Sequence, residues 1–202
     1  SERLATCRIT IVGVGAIGRQ IALQLAALGA PSLQLVDFDV VEVSNLASQG
    51  YLQDDLGRSK VQATADLCQQ INHGLEVVHC TDRFKRSQDV GNVLFAAVDK
   101  IEVRRLIWEA VKDRISLFVD TRMSAEVVRV LAACDARSRE HYPTTLFSAE
   151  QAHAGSCTAK STIYTANVGA GLAVGQFTKW LRGLPVDGDL SFNILTAELA
   201  VA

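Results

Sequence analysis

The chain has 202 residues, of which 49% are hydrophobic and 21% are charged, and its formal net charge is −2 at pH 7. This length is ample for one well-buried α/β core, and the balanced charge argues against a nucleic-acid-binding or membrane-surface protein. The five cysteines are odd in number and include no C-x-x-C pair, and no export signal opens the sequence. We therefore expect a cytoplasmic protein with reduced thiols and a single domain over residues 1–202.

A glycine-rich turn between a predicted strand and a predicted helix is the most informative feature. Ile9–Val12 is apolar and rich in β-branched residues, which is typical of a strand buried on both faces of a parallel sheet. Gly13, Gly15 and Gly18 follow as G-x-G-x-x-G, which permits a tight turn, close approach of the backbone to a phosphate, and packing of helix on strand. The free N–H groups and positive dipole end of the helix then favour an anion, most simply a nucleotide phosphate.

An acidic residue stands where a nucleotide ribose would need one. Asp37 lies nineteen residues after Gly18, at the end of a second apolar strand over Leu33–Val36, and can accept hydrogen bonds from ribose hydroxyls. The pattern predicts a Rossmann-like fold, for which dinucleotides are the commonest ligands, but it does not by itself select the nucleotide. A glycine turn that serves packing alone is the alternative. Neither a G-x-S-x-G elbow nor a G-x-x-x-x-G-K-[ST] P-loop is present.

Lys60 is the next candidate site residue. Residues 40–55 lose both strand and helix periodicity, which predicts a loop that leaves the carboxyl edge of the sheet. An amphipathic helix is predicted to follow over about Ser59–Asn72, so Lys60 lies in its first turn, the unfavourable end for a cation. Lys60 is then either a solvated surface side chain or a contact to a bound phosphate.

Asp99 is a candidate metal ligand. It follows the predicted central strand Asn92–Ala97 and precedes a predicted helix over Lys100–Lys112. A carboxylate at this edge would repel nucleotide phosphates unless a cation intervened, and Mg²⁺ is the obvious cation. Asp99 could also cap the helix, either instead of or in addition to binding a cation. Further strands are predicted over Leu75–Cys80, Ile115–Val119 and Glu126–Ala133.

The last third of the chain is predicted to contain a long surface loop over residues 135–156, a helix, and a further strand near the end. Residues 161–178 carry no charge, but Asn167, Gln176 and several hydroxyl groups favour a buried helix to about Leu181 over a membrane span. The small residues of this helix suit close helix contact inside the fold or across a dimer. They are Ala166, Gly169, Ala170 and Ala173.

Four segments together resemble one family. They are GVGAIG at Gly13–Gly18, VDFDVVEVSNL at Val36–Leu46, GRSKV at Gly57–Val61 and VDKIEVRRLI at Val98–Ile107. The combination resembles the ThiF/MoeB/HesA adenylyltransferases and the adenylation domain of ubiquitin-activating enzymes. The resemblance covers about residues 8–119 and, more loosely, 157–181. It implies an α/β, Rossmann-like, mainly parallel sheet flanked by helices, with added C-terminal strands and helix, a nucleotide-binding core over about residues 8–120, and usually a homodimer.

The resemblance also implies an activity. Such enzymes bind ATP rather than NAD, join AMP to the C-terminal carboxylate of a small ubiquitin-like or sulfur-carrier protein, and release pyrophosphate. By resemblance, Lys60 would contact phosphate and Asp99 would hold Mg²⁺. The other implied nucleotide contacts are the phosphate-wrapping Gly13, Gly15 and Gly18, the ribose-binding Asp37, and Asp39 and Asn45 beside it.

The sequence departs from the family pattern at one phosphate contact. The family commonly has S-N-L-x-R-Q, and Ser48 stands where that arginine would be. This phosphate contact is either missing or supplied by Arg58, Arg122 or another chain. Ser48 therefore allows an alternative function, that of a catalytically weakened subunit that recruits a partner. An NAD-dependent oxidoreductase is the other alternative, because it would explain the glycines and Asp37, although not Lys60 and Asp99 together.

Cys157, in GSCTAKS, resembles the thioester cysteine segment of ubiquitin-activating enzymes. A thiol at this position would take the acyl group from the adenylate. The alternative is an ordinary free cysteine near a helix start.

Overall fold

The structure, a computed structural model, describes residues 2–147 and 162–202 and is organised around one eight-stranded sheet. The strands are β1 (Ile9–Val12), β2 (Ser32–Val36), β3 (Glu76–Cys80), β4 (Val93–Ala96), β5 (Leu117–Ser124), β6 (Val127–Ala133), β7 (Asp189–Asn193) and β8 (Glu198–Val201). Their order across the sheet is β3-β2-β1-β4-β5-β6-β7-β8. The first five strands are parallel and the last three run antiparallel to their neighbours. This confirms the predicted Rossmann-like, mainly parallel sheet with added C-terminal strands.

Helices cover both faces of the sheet. They are α1 (Glu2–Ala5), α2 (Ala16–Ala27), α3 (Val43–Gln49), α4 (Lys60–Ile71), α5 (Ile101–Val111), α6 (Ala136–His141) and α7 (Ile163–Leu181). Helices α2, α4 and α7 pack on one face and α5 on the other. Successive residues of β4 therefore face two different cores, and all four are at most 1% exposed. Within the described ranges, no helix combines the length and apolar character needed to cross a bilayer.

Local capping produces two helices where the sequence predicts loops. Residues 40–55 contain α3 and a 3₁₀ turn over Gln53–Asp55. The side-chain oxygen of Asn45 accepts the Glu42 N–H at 3.0 Å at the start of α3, and Gly50 ends the helix with a left-handed φ of 72°. In the predicted loop over residues 135–156, Asp135 accepts the Ser138 N–H at 2.8 Å and starts α6.

Strand pairing explains two further differences between the predicted and the observed strands. Strand β5 runs beyond the predicted end at Val119, to Ser124, because β6 pairs with it as an antiparallel neighbour. The C-terminal tail forms two strands rather than one. The small residues of α7 are buried within the fold, where Gly169 lies so close to β6 that an added Cβ would be 3.2 Å from Val128.

The glycine turn has a steric requirement that can be tested at Gly18. Gly18→Ala is expected to lower the free energy of unfolding by about 2 kcal/mol or more, because the new methyl group would lie 1.8 Å from the carbonyl oxygen of Gly13. The matched control is Gly175→Ala in α7, where nothing described lies within 4 Å of the added methyl group. Alanine's better helix propensity predicts a gain of about 0.5–1 kcal/mol there. Urea unfolding measures both, and similar values for the two variants would contradict the steric argument.

Candidate functional site

The turns that carry the predicted site residues leave the same edge of the sheet. Strand order reverses between β1 and β4, and ligands of open α/β sheets bind beside such a switch point. The Ala97 N–H donates to the Val12 carbonyl at 2.8 Å, and an added Cβ at Gly13 would lie 2.6 Å from the Ala97 oxygen. The glycine turn after β1 and the Asp99 turn after β4 are therefore in direct contact.

The glycine turn leaves space for a ligand at Gly15. Gly13 has a left-handed φ of 88°, which favours glycine. At Gly15 an added Cβ would meet only the side chain of Gln49, at 3.7 Å. Gly15 is also the N-cap of α2, and no side chain of the described chain caps that helix. The N–H groups of the first turn are thus available for an anion such as a phosphate.

Asp37 connects the end of β2 to the glycine turn. Its Oδ2 accepts the Val14 N–H at 2.6 Å, and its Oδ1 accepts the Asp39 N–H at 2.9 Å. Because each carboxylate oxygen has a second lone pair, both remain able to accept a hydrogen bond from a ribose hydroxyl. The protein therefore fixes the orientation of the half-buried Asp37 side chain before any ligand binds.

Two residues that the sequence analysis missed hold the other side of the glycine turn. The Tyr51 hydroxyl donates to the Val14 carbonyl at 2.6 Å, and burial raises the pKa of Tyr51, so the phenol stays a donor. Arg19 is 1% exposed, donates to the Gly50 carbonyl at 2.9 Å, and stacks on the Tyr51 ring, 4.2 Å from its centroid. The sequence does contain a signal that Arg19 is buried, because Arg19 falls on the same apolar helix face as Ala22 and Ala26.

Lys60 lies inside the site. It is 6% exposed, and its Nζ donates to Asp39 Oδ2 at 3.0 Å. The Lys60 N–H also donates to the Asp39 carbonyl at 3.0 Å, and a β-bridge between Val40 and Ser59 holds the two segments together. The alternative of a solvated surface lysine is therefore wrong, since a buried ammonium group needs the partner that Asp39 provides.

A cleft of about 450 Å³ opens beside this ion pair, within the size range of small-molecule sites. Its lining residues are Phe38, Asp39, Val40, Glu42, Asn45, Gln49 and Lys60. Among these, Asp39 and Glu42 are acidic and Lys60 is basic. A polyphosphate entering the cleft would need a further cation to offset its charge.

Asp99 is exposed and free to bind a cation. Lys100 is the N-cap of α5, so the alternative that Asp99 caps this helix is wrong. Among the described residues, no hydrogen bond to the Asp99 carboxylate is present. No group of three metal-ligating side chains occurs within residues 2–147 and 162–202. Mg²⁺ commonly uses one or two carboxylates together with substrate phosphates, and Asp99 fits that mode of binding.

The two arginines considered as substitutes at position 48 have other partners. Arg58 forms ion pairs with Asp55, at 3.2 Å, and with Asp66, and its hydrogen bond to Asp66 lowers the pKa of that carboxyl group. The Arg122 guanidinium donates to the side chain of Asp120 and the carbonyl of Thr145, each at 2.9 Å. The Ser48 hydroxyl itself donates to the Ser44 carbonyl at 2.7 Å. Cys157 lies outside the described residues.

A glycine turn at a strand-order switch, with an acidic residue after the next strand, defines a Rossmann-like protein with a nucleotide-type site. The ThiF family model matches residues 1–198. The chain therefore belongs to the ThiF family.

Named relatives are longer than this chain. Adenylyltransferase and sulfurtransferase MOCS3 of Sus scrofa is 47% identical over 77 residues, which cover 38% of this chain and 17% of that protein. The Nedd8-activating enzyme E1 catalytic subunit of Drosophila melanogaster is 30% identical over 109 residues, which cover 50% of this chain and 24% of that protein. The crystal structure of E. coli MccB with ATP shares the fold, with a TM-score of 0.79 at 14% identity, over 100% of this chain and 65% of that one.

Tyr51→Phe tests whether the phenol supports the glycine turn. Loss of the hydroxyl leaves the Val14 carbonyl without its Tyr51 donor, so the free energy of unfolding is expected to fall by about 1–3 kcal/mol. Tyr164→Phe is the matched control, because the exposed Tyr164 hydroxyl donates to Glu126 at the surface, and a change within about 0.5 kcal/mol is expected. Chemical unfolding followed by circular dichroism compares them, and a Tyr51→Phe value as small as the control would show that the hydrogen bond is dispensable.

Proposed function

We propose that this chain is an ATP-dependent adenylyltransferase domain that activates the C-terminal carboxylate of a small ubiquitin-like or sulfur-carrier protein. The observation that carries the proposal is the buried Lys60, paired with Asp39 beside the glycine turn. Membership of the ThiF family and the names of the MOCS3 and Nedd8-activating relatives support the substrate class. We further propose that residues 1–202 act as one domain, in a cytoplasmic homodimer.

The proposed position of ATP follows from the groups left available at the sheet edge. The phosphates would lie over Gly15 at the start of α2, where the N–H groups are free and the nearest side chain is that of Gln49. The ribose hydroxyls would bind the fixed carboxylate of Asp37, with Asp39 and Asn45 beside it. The ATP-bound MccB relative supports ATP rather than NAD as the nucleotide.

The proposed reaction requires little proton transfer. A carboxylate oxygen of the partner's C-terminus would attack the α-phosphorus, an O–P bond would form, and the bond to the β-phosphate would break to release pyrophosphate. The nucleophile is already ionised near neutral pH, so no general base is required. The work of the protein is positioning and charge compensation, in which Lys60 would face the departing phosphates. Mg²⁺ held by Asp99 would supply further positive charge to the phosphate oxygens.

A second candidate function is that of a catalytically weakened subunit that binds ATP and recruits a partner. Ser48 favours it, because this residue stands where the family commonly has an arginine, and because Arg58 and Arg122 have partners of their own. The two functions differ in turnover. The weakened subunit would bind ATP without exchanging pyrophosphate into it.

Two calorimetric titrations of the protein, one with ATP plus Mg²⁺ and one with NAD, test which nucleotide it binds. We expect ATP to bind at least tenfold more tightly than NAD. Preference for NAD would overturn the proposal in favour of an oxidoreductase. ATP binding without pyrophosphate exchange, measured with a range of candidate carrier proteins, would favour the partner-recruiting subunit.

Asp99→Asn tests the proposed metal ligand, since it removes one charge at constant shape. We expect Mg²⁺-dependent pyrophosphate exchange to fall at least tenfold, because an amide is a weaker Mg²⁺ ligand than a carboxylate. Asp113→Asn is the matched control, because Asp113 lies just beyond the other end of α5 and is also exposed. Equal exchange rates in the two variants would remove Asp99 from the metal site.

We also propose Cys157 as the acceptor in a thioester step that follows adenylation. Its sulfur would attack the acyl carbon of the adenylate, a C–S bond would form, and AMP would leave. Cys157→Ala should leave adenylate formation unchanged and abolish a thiol-sensitive covalent adduct with the carrier protein. Cys134→Ala is the control and should retain the adduct. An adduct that survives in Cys157→Ala would exclude this cysteine.

A further inference from the structure

A buried ion-pair cluster lies beside the turn that carries Asp99. Its centre is Asp120, which is fully buried in β5 and is paired in register with Ala96, the last residue of β4. Arg104 of α5 forms an ion pair with Asp120 Oδ1. Arg122 and the Tyr142 hydroxyl each donate to Oδ2, at 2.9 Å. One carboxylate thus joins β5, α5 and the 3₁₀ turn over residues 142–145.

Arg104 connects this cluster to the Asp99 turn. Its guanidinium donates to the carbonyl oxygen of Val98, the residue immediately before Asp99, and to the Thr121 carbonyl at 3.3 Å. A planar guanidinium can hold several acceptors in fixed directions, whereas a lysine ammonium group cannot. Since no described hydrogen bond holds the Asp99 side chain, the position of that side chain depends on this backbone anchor.

Arg104 is charged, and its electrostatic surroundings include Asp99. Burial, and then the neighbouring Arg122, lower the pKa of Arg104 to about 10, so the guanidinium remains charged at neutral pH. Asp99 is close enough to raise that pKa. Arg104 forms its ion pair with Asp120 and no hydrogen bond to Asp99 among the described residues, so the Asp99 oxygens remain available to a cation.

We infer that Arg104 and Asp120 are positioning residues that hold the Asp99 carboxylate ready for the divalent cation that accompanies ATP. The inference rests on the proposed function. Arg104 acts through the Val98 backbone, and Asp120 acts through Arg104. A merely structural role for the pair would change the free energy of unfolding and leave cation affinity in the folded protein unchanged.

The test is a titration with Mn²⁺, followed by electron paramagnetic resonance, on the full chain with a non-hydrolysable ATP analogue. Arg104→Gln is expected to weaken Mn²⁺ binding at least tenfold, and Arg104→Lys to restore part of the loss. Arg129→Gln is the matched control, because it breaks the Arg129–Asp189 ion pair of β6 and β7, which does not involve the Asp99 turn. Its Mn²⁺ affinity should stay within twofold of that of the unmodified protein.

A second variant keeps the inference testable if Arg104→Gln does not fold. Arg104→Met removes the guanidinium but leaves Asp120 paired with Arg122 and the Tyr142 hydroxyl, so no other buried group of the cluster is left without a charged partner. Unchanged Mn²⁺ affinity in either folded variant would overturn the inference. Failure of the unmodified protein to bind the analogue at all, in EDTA or with Mn²⁺, would instead overturn the proposed function.

Discussion

The backbone of Val14 is the point on which the site depends. Its N–H is held by the Asp37 carboxylate and its carbonyl by the Tyr51 hydroxyl, both at 2.6 Å. These two bonds fix the glycine turn between the end of β2 and the segment that follows α3. Gly15 thereby faces the side chain of Gln49, which an added Cβ would meet at 3.7 Å, and has no side chain of its own. A ligand would meet a turn that needs no rearrangement, which lowers the entropy lost on binding.

Two buried cationic side chains near this turn are also held in place before a ligand binds. Lys60 and Arg104 are both nearly buried, and each is paired with an aspartate, Asp39 and Asp120. The two pairs differ in exposure, because Asp39 is half exposed at the cleft whereas Asp120 is fully enclosed. A bound phosphate can therefore share Lys60 with its exposed partner. Arg104, in contrast, is committed to the interior and to the backbone of the Asp99 turn.

Sequence patterns predicted the parts of the fold whose cause is local. Strands β1 and β4 are recognisable because both faces are covered, which makes every residue apolar, and the glycine turn is recognisable because steric contact with Gly13 excludes a side chain at Gly18. Helix α3 was missed because its ends are set by Asn45 and Gly50 rather than by apolar periodicity. Tyr51 and Asp120 were missed for a different reason. Their partners, Val14 and Arg104, are distant in sequence, and only the folded chain brings them together.

Because residue 48 is a serine and not the arginine common in the family, a bound phosphate would have one fewer positive charge nearby to neutralise it. Arg19, Arg58, Arg104 and Arg122 all lie near the sheet edge, but each already contacts a carboxylate or a backbone carbonyl in the described chain. Lys60 also has a carboxylate partner, but Asp39 is half exposed at the cleft, so Lys60 and the start of α2 are positioned to meet a polyphosphate there. The divalent cation proposed at Asp99 would then carry a larger share of the neutralisation than in a site that also has an arginine at position 48. The positioning of Asp99 is correspondingly more important in this chain.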